Sequence, residues 1–253
     1  MIQQQDIRIE ALTEQTQFNA CAALQDTVWG YEASDRMSEK VYLLAAHIGG
    51  QVLGAYDGEA LVGYAMSLPG YRDGKPYFHS HHLAVLPEYR NFGVGRRLKL
   101  AQRDDAIARG ISLIEWTFDP LEIKNANLNI SRLGAIVRRY KTNFYGDSSS
   151  PLQGGLPTDR VIAEWWLRSS RVEQILSGEK LCIEPIEEVT VPVEIYEWKA
   201  SADLREKARA VQARNAEALQ SAFAKGLVVL GYRRDERGDG IFQLARMNEP
   251  QSL

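Results

Sequence analysis

Apolar and polar residues alternate over residues 7–11, the two-residue period of a half-buried strand. From Thr13 the period lengthens. Gln15 and Gln17 open a polar-then-apolar helical pattern that reaches about Trp29. Ser38 caps a second helix over 38–48, closed by Gly49-Gly50. Strands are predicted over 51–56 and 59–68 on either side of Asp57-Gly58, a strong hairpin signal. Pro69-Gly70 and Asp73-Gly74 punctuate a loop, and 77–86 is a further strand. A helix over 95–109 ends at Gly110. It is followed by a strand over 111–118, Asp119-Pro120, and a short helix around 126–133.

Residues 146–159, rich in Gly, Pro and Ser, form a long loop or a boundary. Beyond it the pattern predicts a strand over 161–167 and a short helix over 171–176. Strands follow near 180–183 and 191–198, then a long amphipathic helix over 202–225, and two final strands flank 234–240. No internal repeat is visible. Neighbouring hairpins mixed with helices indicate an α/β (α+β) fold with a mixed, mostly antiparallel sheet flanked by helices. The domains are expected at 1–150 and 151–253, the second an α/β extension or subdomain.

Composition narrows the class. The chain has 253 residues, 45% hydrophobic, with a net charge of −3. That suits one large or two modest globular domains and argues against a dominant nucleic-acid surface. Two scattered cysteines, Cys21 and Cys182, suit a reduced compartment better than a disulfide framework. The N-terminal residues lack a secretory pattern, and no apolar run approaches a membrane span. A soluble, cytoplasmic protein is expected, with no nucleic-acid or membrane partner.

The candidate chemistry lies between the strand at 77–86 and the next helix. Gly93 and Gly95 open that helix, with Arg90, Arg96 and Arg97 around them. A helix start presents unpaired N–H groups and the positive end of the helix dipole, and glycines let a ligand approach the backbone. Together these form an anion site. A P-loop would need Gly-Lys-Ser/Thr where Arg96-Arg97 stands, and the dinucleotide fingerprint needs a third glycine where Leu98 stands. A plain glycine turn before a surface helix also fits the spacing.

The wider stretch, Leu83-Ala84-Val85-Leu86-Pro87-Glu88-Tyr89-Arg90-Asn91-Phe92-Gly93-Val94-Gly95, resembles the acyl-CoA-binding motif of the GNAT superfamily of N-acetyltransferases. The resemblance covers roughly residues 7–146. It implies a GNAT-like fold with acetyl-CoA, or another acyl-CoA, as co-substrate. It implies pantetheine contacts from the backbone around Leu83, Ala84 and Val85, and pyrophosphate contacts over Arg90, Asn91, Phe92, Gly93, Val94, Gly95 and Arg96. Further stretches are similar to one bacterial subgroup of that superfamily: Thr117-Phe118-Asp119-Pro120-Leu121, Ser131-Arg132-Leu133-Gly134-Ala135, Asn143-Phe144-Tyr145-Gly146 and Leu156-Pro157-Thr158-Asp159-Arg160.

Acetyl transfer to an amine needs a base, and imidazole titrates near neutral pH. Period two places His79 and His81 on one strand face with Leu83 and Val85, and His82 on the other. The paired spacing resembles the arylalkylamine branch of the superfamily, where two histidines relay the proton through water. Hydrogen-bonded strand histidines, or a shared metal ion, are the alternatives; no metal is assigned. Aligned on Leu133-Gly134, Ile123 and Ile130 stand where the family usually has asparagine and its acid tyrosine. Tyr140 and Tyr145 are therefore candidate replacement acids, and Asn125 and Asn127 candidate cofactor contacts. Asp119 at a strand end, and Arg138 with Arg139, are either substrate contacts or ordinary turn and surface residues.

The resulting expectation is an acyl-CoA-dependent N-acetyltransferase. A small-molecule or peptide amine would be the acceptor, and a homodimer is possible. The rivals are an acyl-CoA sensor or assembly protein on the same scaffold, and an enzyme using a longer acyl group or a hydroxyl acceptor.

Overall fold

The computed structural model describes residues 7–247. They form two compact units, dividing between Glu115 and Trp116. The 150/151 boundary read from the sequence falls in the long loop of the second unit.

The first unit is a sheet with both faces covered. Strand β1 (Ile7–Ala11) pairs antiparallel with β2 (Gln51–Asp57), β2 with β3 (Ala60–Arg72), and β3 with β4 (Lys75–Val85). Strand β5 (Leu113–Phe118), which carries the chain into the second unit, meets β4 in parallel at Phe78–Ile114 and His79–Glu115. Helix α1 (Gln15–Trp29) starts in a reciprocal capping box between Glu14 and Gln17, and Ser38 accepts from Lys40 N to cap α2 (Glu39–His47). Both helices pack Phe18, Cys21, Tyr42 and Ala45 against Val52, Tyr64, Met66 and Ala84. Helix α3 (Val94–Ala108) covers the other face, with Val94 and Leu98 on Ile7, Leu53, Val62 and Ala65. Successive residues of β2 thus enter two cores, which is why its run reads as continuously apolar.

Residues 69–74 correct the expected loop. β3 runs on to Arg72, and only Asp73-Gly74 turn, with φ of 49° and 79°. Those angles are the left-handed pair of a two-residue hairpin turn, which Asp-Gly favours. β2 pairs with β3 only as far as Ser67, so Pro69 lies on an edge where its missing N–H breaks no ladder.

In the second unit antiparallel pairing gives the order β7-β6-β9-β10-β8. These are β6 (Ile136–Lys141), β7 (Arg160–Trp166), β8 (Glu187–Val191), β9 (Val228–Arg234) and β10 (Gly240–Ala245). Helix α4 (Ile123–Ala126) runs into a π-helical turn over Asn127–Arg132, and α5 (Ser170–Ser177) is capped by Ser169. The strand expected at 191–198 is a correction: β8 ends at Val191, Pro192 removes the next ladder donor, and α6 (Ile195–Ala200) follows. Residues 180–183 form no strand, and β6 was not foreseen. Helix α7 (Arg205–Ala224) buries Ala208, Val211, Gln212, Asn215, Leu219 and Ala222, spaced by three and four along one face. Its two buried amides are satisfied, Gln212 on Pro157 O and Asn215 on Thr190 O.

Lys199 of α6 is buried in an ion cluster. Its Nζ donates to Asp119 Oδ2 at 2.9 Å and to Glu122 Oε1 at 2.8 Å. Burial pulls this ammonium down, but the two carboxylates outweigh it and leave Lys199 raised. Removing the cation would strand a buried carboxylate. Lys199→Met is expected to lower unfolding free energy by about 3 kcal/mol, read from urea denaturation. A change within experimental error would show that the cluster is solvated.

Candidate active site

The loop from β4 to α3 is built by backbone conformation. Pro87–Tyr89 make one 3₁₀ turn, and Tyr89 Oη donates to Asp57 Oδ2 at 2.8 Å. Arg90 Nε donates to Val85 O at 3.2 Å, tying the loop back to the strand end. Asn91 and Gly93 then take φ of 67° and 78°, left-handed values that turn the chain into α3. Gly93 is the N-cap and has no side chain to offer, and Arg97 N is the first amide bonded back, to Gly93 O at 3.0 Å. The amides of Val94, Gly95 and Arg96 therefore open the helix without an intrahelical partner.

Gly95 has ordinary helical geometry. A Cβ there would meet only Leu83 Cδ2 and Val85 Cγ2, each at 3.8 Å. Packing therefore does not demand a glycine at this position. Asn91 and Phe92 are exposed and Arg96 half-buried beside it. Residues 90–96 thus form the turn into α3 and its first helical turn, whose free amides are of a kind that fits a pyrophosphate. Leu83 and Val85 pack toward α3, whereas Ala84 faces α1 and α2.

Strand β4 departs from the expected parity. Met66 lies opposite His82 and Ser67 opposite Ser80, so His81 is the extra residue of a β-bulge. Before the bulge Ser80 faces α3; after it Leu83 and Val85 do. His79, His81 and His82 consequently share the α1–α2 side, whereas simple alternation put His82 opposite and grouped the pair with Leu83 and Val85. Their rings form a row. His79 and His81 are 6.2 Å apart, and His81 stacks on His82 at 4.7 Å and 13°. His82 Nδ1 lies 3.0 Å from Tyr64 Oη, which bonds Tyr42 Oη at 2.7 Å. Burial pushes both phenols up, so they remain neutral donors and acceptors.

Ser80 is anchored from the other side. Lys99 Nζ donates to Ser80 Oγ at 2.9 Å, and Ser80 Oγ to Gln102 Oε1 at 3.1 Å. Gln102 Nε2 donates to Ser67 Oγ at 2.6 Å and Ser67 Oγ to Gln51 Oε1 at 2.9 Å. This buried layer joins α3 to β4 between His79 and His81, and burial holds Lys99 well below its usual range.

At the outer end of the row His79 meets Glu115. The carboxylate is 4% exposed, and its Oε1 lies 3.8 Å from His79 Nδ1. Arg72 grips the same carboxylate with two bonds, at 2.8 and 2.9 Å. Neither Arg72 nor Glu115 was singled out from sequence. Arg72 fell in the supposed loop, although Asp73-Gly74 is itself a hairpin signal that extends β3 over it.

Desolvation, helped by His79, pulls His81 down to about 4, and desolvation pulls His82 well below the ordinary 6.5. His81 is therefore neutral at pH 7, able to pass a proton but weak as a base. Both groups bind protons more readily unfolded than folded. Their contribution to stability is complete above pH 6.5 and is lost as pH falls toward 4. Moving from pH 7 to pH 5 should cost on the order of 2 kcal/mol through His81 alone, and His81→Gln should flatten that slope in urea titrations. An unchanged slope would contradict the burial.

In the second unit the candidate acids are engaged. Tyr140 Oη donates to Asp159 Oδ2 at 2.6 Å, and burial followed by that carboxylate raises the phenol. Tyr145 is 44% exposed, with its hydroxyl 2.8 Å from Thr117 Oγ1. Ile130, at the family's tyrosine position, is fully buried. Asn125 is exposed on α4, Asn127 is half-buried in the π-helical turn, and Asn129 is buried there. Asp119 serves a turn, accepting from Leu121 N at 2.8 Å. Arg138 and Arg139, candidates for an acidic substrate, instead grip buried Glu164 from a bulge in β6, at 2.8 and 3.1 Å.

Cys21 is buried and Cys182 exposed, both as free thiols. Among the described residues no group of three or more His, Cys, Asp or Glu could hold a metal ion. No helix there is long and apolar enough to cross a membrane.

Residues 18–128 match the model of the acetyltransferase (GNAT) family. No curated protein matches the sequence. Solved structures show the same fold at low identity. The ribosomal-protein-S18-alanine N-acetyltransferase of Escherichia coli is 18% identical, with a TM-score of 0.52 over 70% of this chain and 99% of that one. The NatC complex bound to Gag peptide and CoA gives 17%, 0.51, 63% and 97%. A Salmonella typhimurium protein solved with its cofactor acetyl-CoA gives 16%, 0.50, 66% and 98%.

Proposed function

From the match of residues 18–128 to the acetyltransferase (GNAT) family model, we propose that the protein moves an acetyl group from acetyl-CoA to an amine of a small molecule or peptide by direct attack. The observation that carries this is the open helix start at Gly93–Arg96 on the same strand-turn-helix as the histidine row. Acetyl-CoA, when bound, supplies the activated thioester.

The protein's own groups have distinct tasks in this proposal. The amides of Val94, Gly95 and Arg96, with the side chains of Arg90 and Arg96, hold the pyrophosphate. The β4 backbone around Val85 aligns the pantetheine arm. His79 takes the proton from the attacking ammonium, directly or through water, while Glu115 orients the ring and Arg72 fixes Glu115. His81, neutral, relays the proton to water, from which the departing thiolate is protonated. Residues 1–150 are the catalytic domain in this proposal and 151–253 its extension.

One observation favours the alternative of an acyl-CoA sensor: Tyr140 is raised and committed to Asp159, and Ile130 stands in place of the usual acid. Thioester consumption with an amine panel separates the two. Amine-dependent release of thiol supports transfer, whereas tight binding without release identifies the sensor.

A further inference from the structure

The second unit contains a cavity of about 320 Å³ that plays no part in the proposed transfer. Its walls are largely apolar: Ile136 of β6, Trp166 at the end of β7, Leu181, Leu230 of β9 and Met247. Two arginines line it as well, Arg171 of α5 and Arg246 just after β10.

Arg171 is unusual in its partners. Its Nε donates to Gly134 O at 3.0 Å, and its Nη2 donates to Leu230 O. Among the described residues no carboxylate pairs with it. Three other shielded cations of this unit do have one: Lys199 meets Asp119 and Glu122, and Arg138 and Arg139 meet Glu164. Carbonyls satisfy hydrogen bonds but leave the charge uncompensated. Burial pulls Arg171 down to about 10, so it stays a cation at neutral pH. Arg246, exposed at the rim, likewise has no carboxylate partner among the described residues.

We propose that this cavity binds a small organic carboxylate with an apolar body, its carboxylate on Arg171 and Arg246 and its body against Trp166 and Leu230. The volume sits at the low end of small-molecule pockets, about 300–1,000 Å³, and suits an aryl or short alkyl acid. With Nε and Nη2 of Arg171 held by carbonyls, its Nη1 and the guanidinium of Arg246 are the donors that would receive the carboxylate. The site does not rest on the acyl-transfer proposal and stands or falls separately from it.

The test is calorimetric titration of the full chain with 3-phenylpropionate, indole-3-acetate and octanoate, each paired with its neutral primary amide. At least one carboxylate should bind with a Kd below about 1 mM, and its amide at least about tenfold more weakly. Leu181→Trp, in a half-buried loop position, should fill the cavity and abolish binding. Arg246→Gln, at the exposed rim, should weaken it about three- to tenfold without changing the melting temperature. Arg171→Gln should also abolish binding, but it loses two backbone contacts, so the rim variant carries the test if that chain is unstable. Three outcomes overturn the proposal: no carboxylate binds, the amides bind equally well, or binding survives Leu181→Trp but is lost in Gly95→Glu, which would put the anion at the helix start of α3.

Discussion

Replacing Gly95 with glutamate is expected to abolish acetyl-CoA binding while leaving the fold in place. The physical basis is the contrast between Gly95 and Gly93. A Cβ at Gly95 makes only ordinary contacts with Leu83 and Val85, so the larger side chain projects from a tolerated backbone. It brings a carboxylate to amides proposed to receive a pyrophosphate. Repulsion and steric exclusion together should weaken binding at least about a hundredfold, equivalent to about 2.7 kcal/mol. The melting temperature should move by only a few degrees, about what a surface substitution produces. Gly93→Ala should behave in the opposite way. Its φ of 78° is left-handed, which costs a non-glycine residue about 1–2 kcal/mol, so stability should fall before binding does. Calorimetry and thermal melts on the two variants read both effects. Wild-type affinity in Gly95→Glu would mean that this helix start is only a turn.

His79→Ala should lower turnover by about 10² to 10⁴, the usual contribution of a positioned acid–base group, with a smaller change in KM for acetyl-CoA. The assignment favours His79 over His81 because His81 is pulled down to about 4 by its burial, too weak to drive deprotonation of an ammonium. Glu115→Gln keeps the shape but removes the charge and one of the two acceptors that hold Arg72. Without that charge, kcat should fall about tenfold as ring orientation loosens. His81→Ala should cost less than His79→Ala. Equal rates in wild type and His79→Ala would remove the base from this strand.

The two units were unequally legible in the sequence. Local signals carried the first: alternation in β1, the Ser38 cap, and the turn glycines before α3 all reflect interactions within a few residues. The proposed anion site rests on the same local signals, since a helix start needs no distant partner. The histidine row was legible only in part. Strict alternation holds for a regular strand, and the bulge at His81 that resets it exists because β3 and β4 fall out of register between Met66 and Ser67. Glu115 could not be placed beside His79 without knowing that β5 lies parallel to β4. In the second unit, 191–198 alternates like a strand, but Pro192 ends the ladder and the following residues coil into α6. Likewise Arg138 and Arg139 read as solvated charges. Their partner, Glu164, lies 25 and 26 residues away on the neighbouring strand, a pairing no local pattern encodes. The buried Lys99 layer was invisible for the same reason.

The most direct test of acyl transfer is release of CoA thiol from acetyl-CoA by the purified protein, followed with and without a panel of alkyl, aryl and peptide N-terminal amines, with acetylated product identified by mass. The account predicts thiol release that depends on the amine, with one acetyl group appearing on the acceptor for each thiol freed, and its loss in both Gly95→Glu and His79→Ala. Saturable acetyl-CoA binding with no amine-dependent release from any class would contradict it and leave an acyl-CoA sensor in its place.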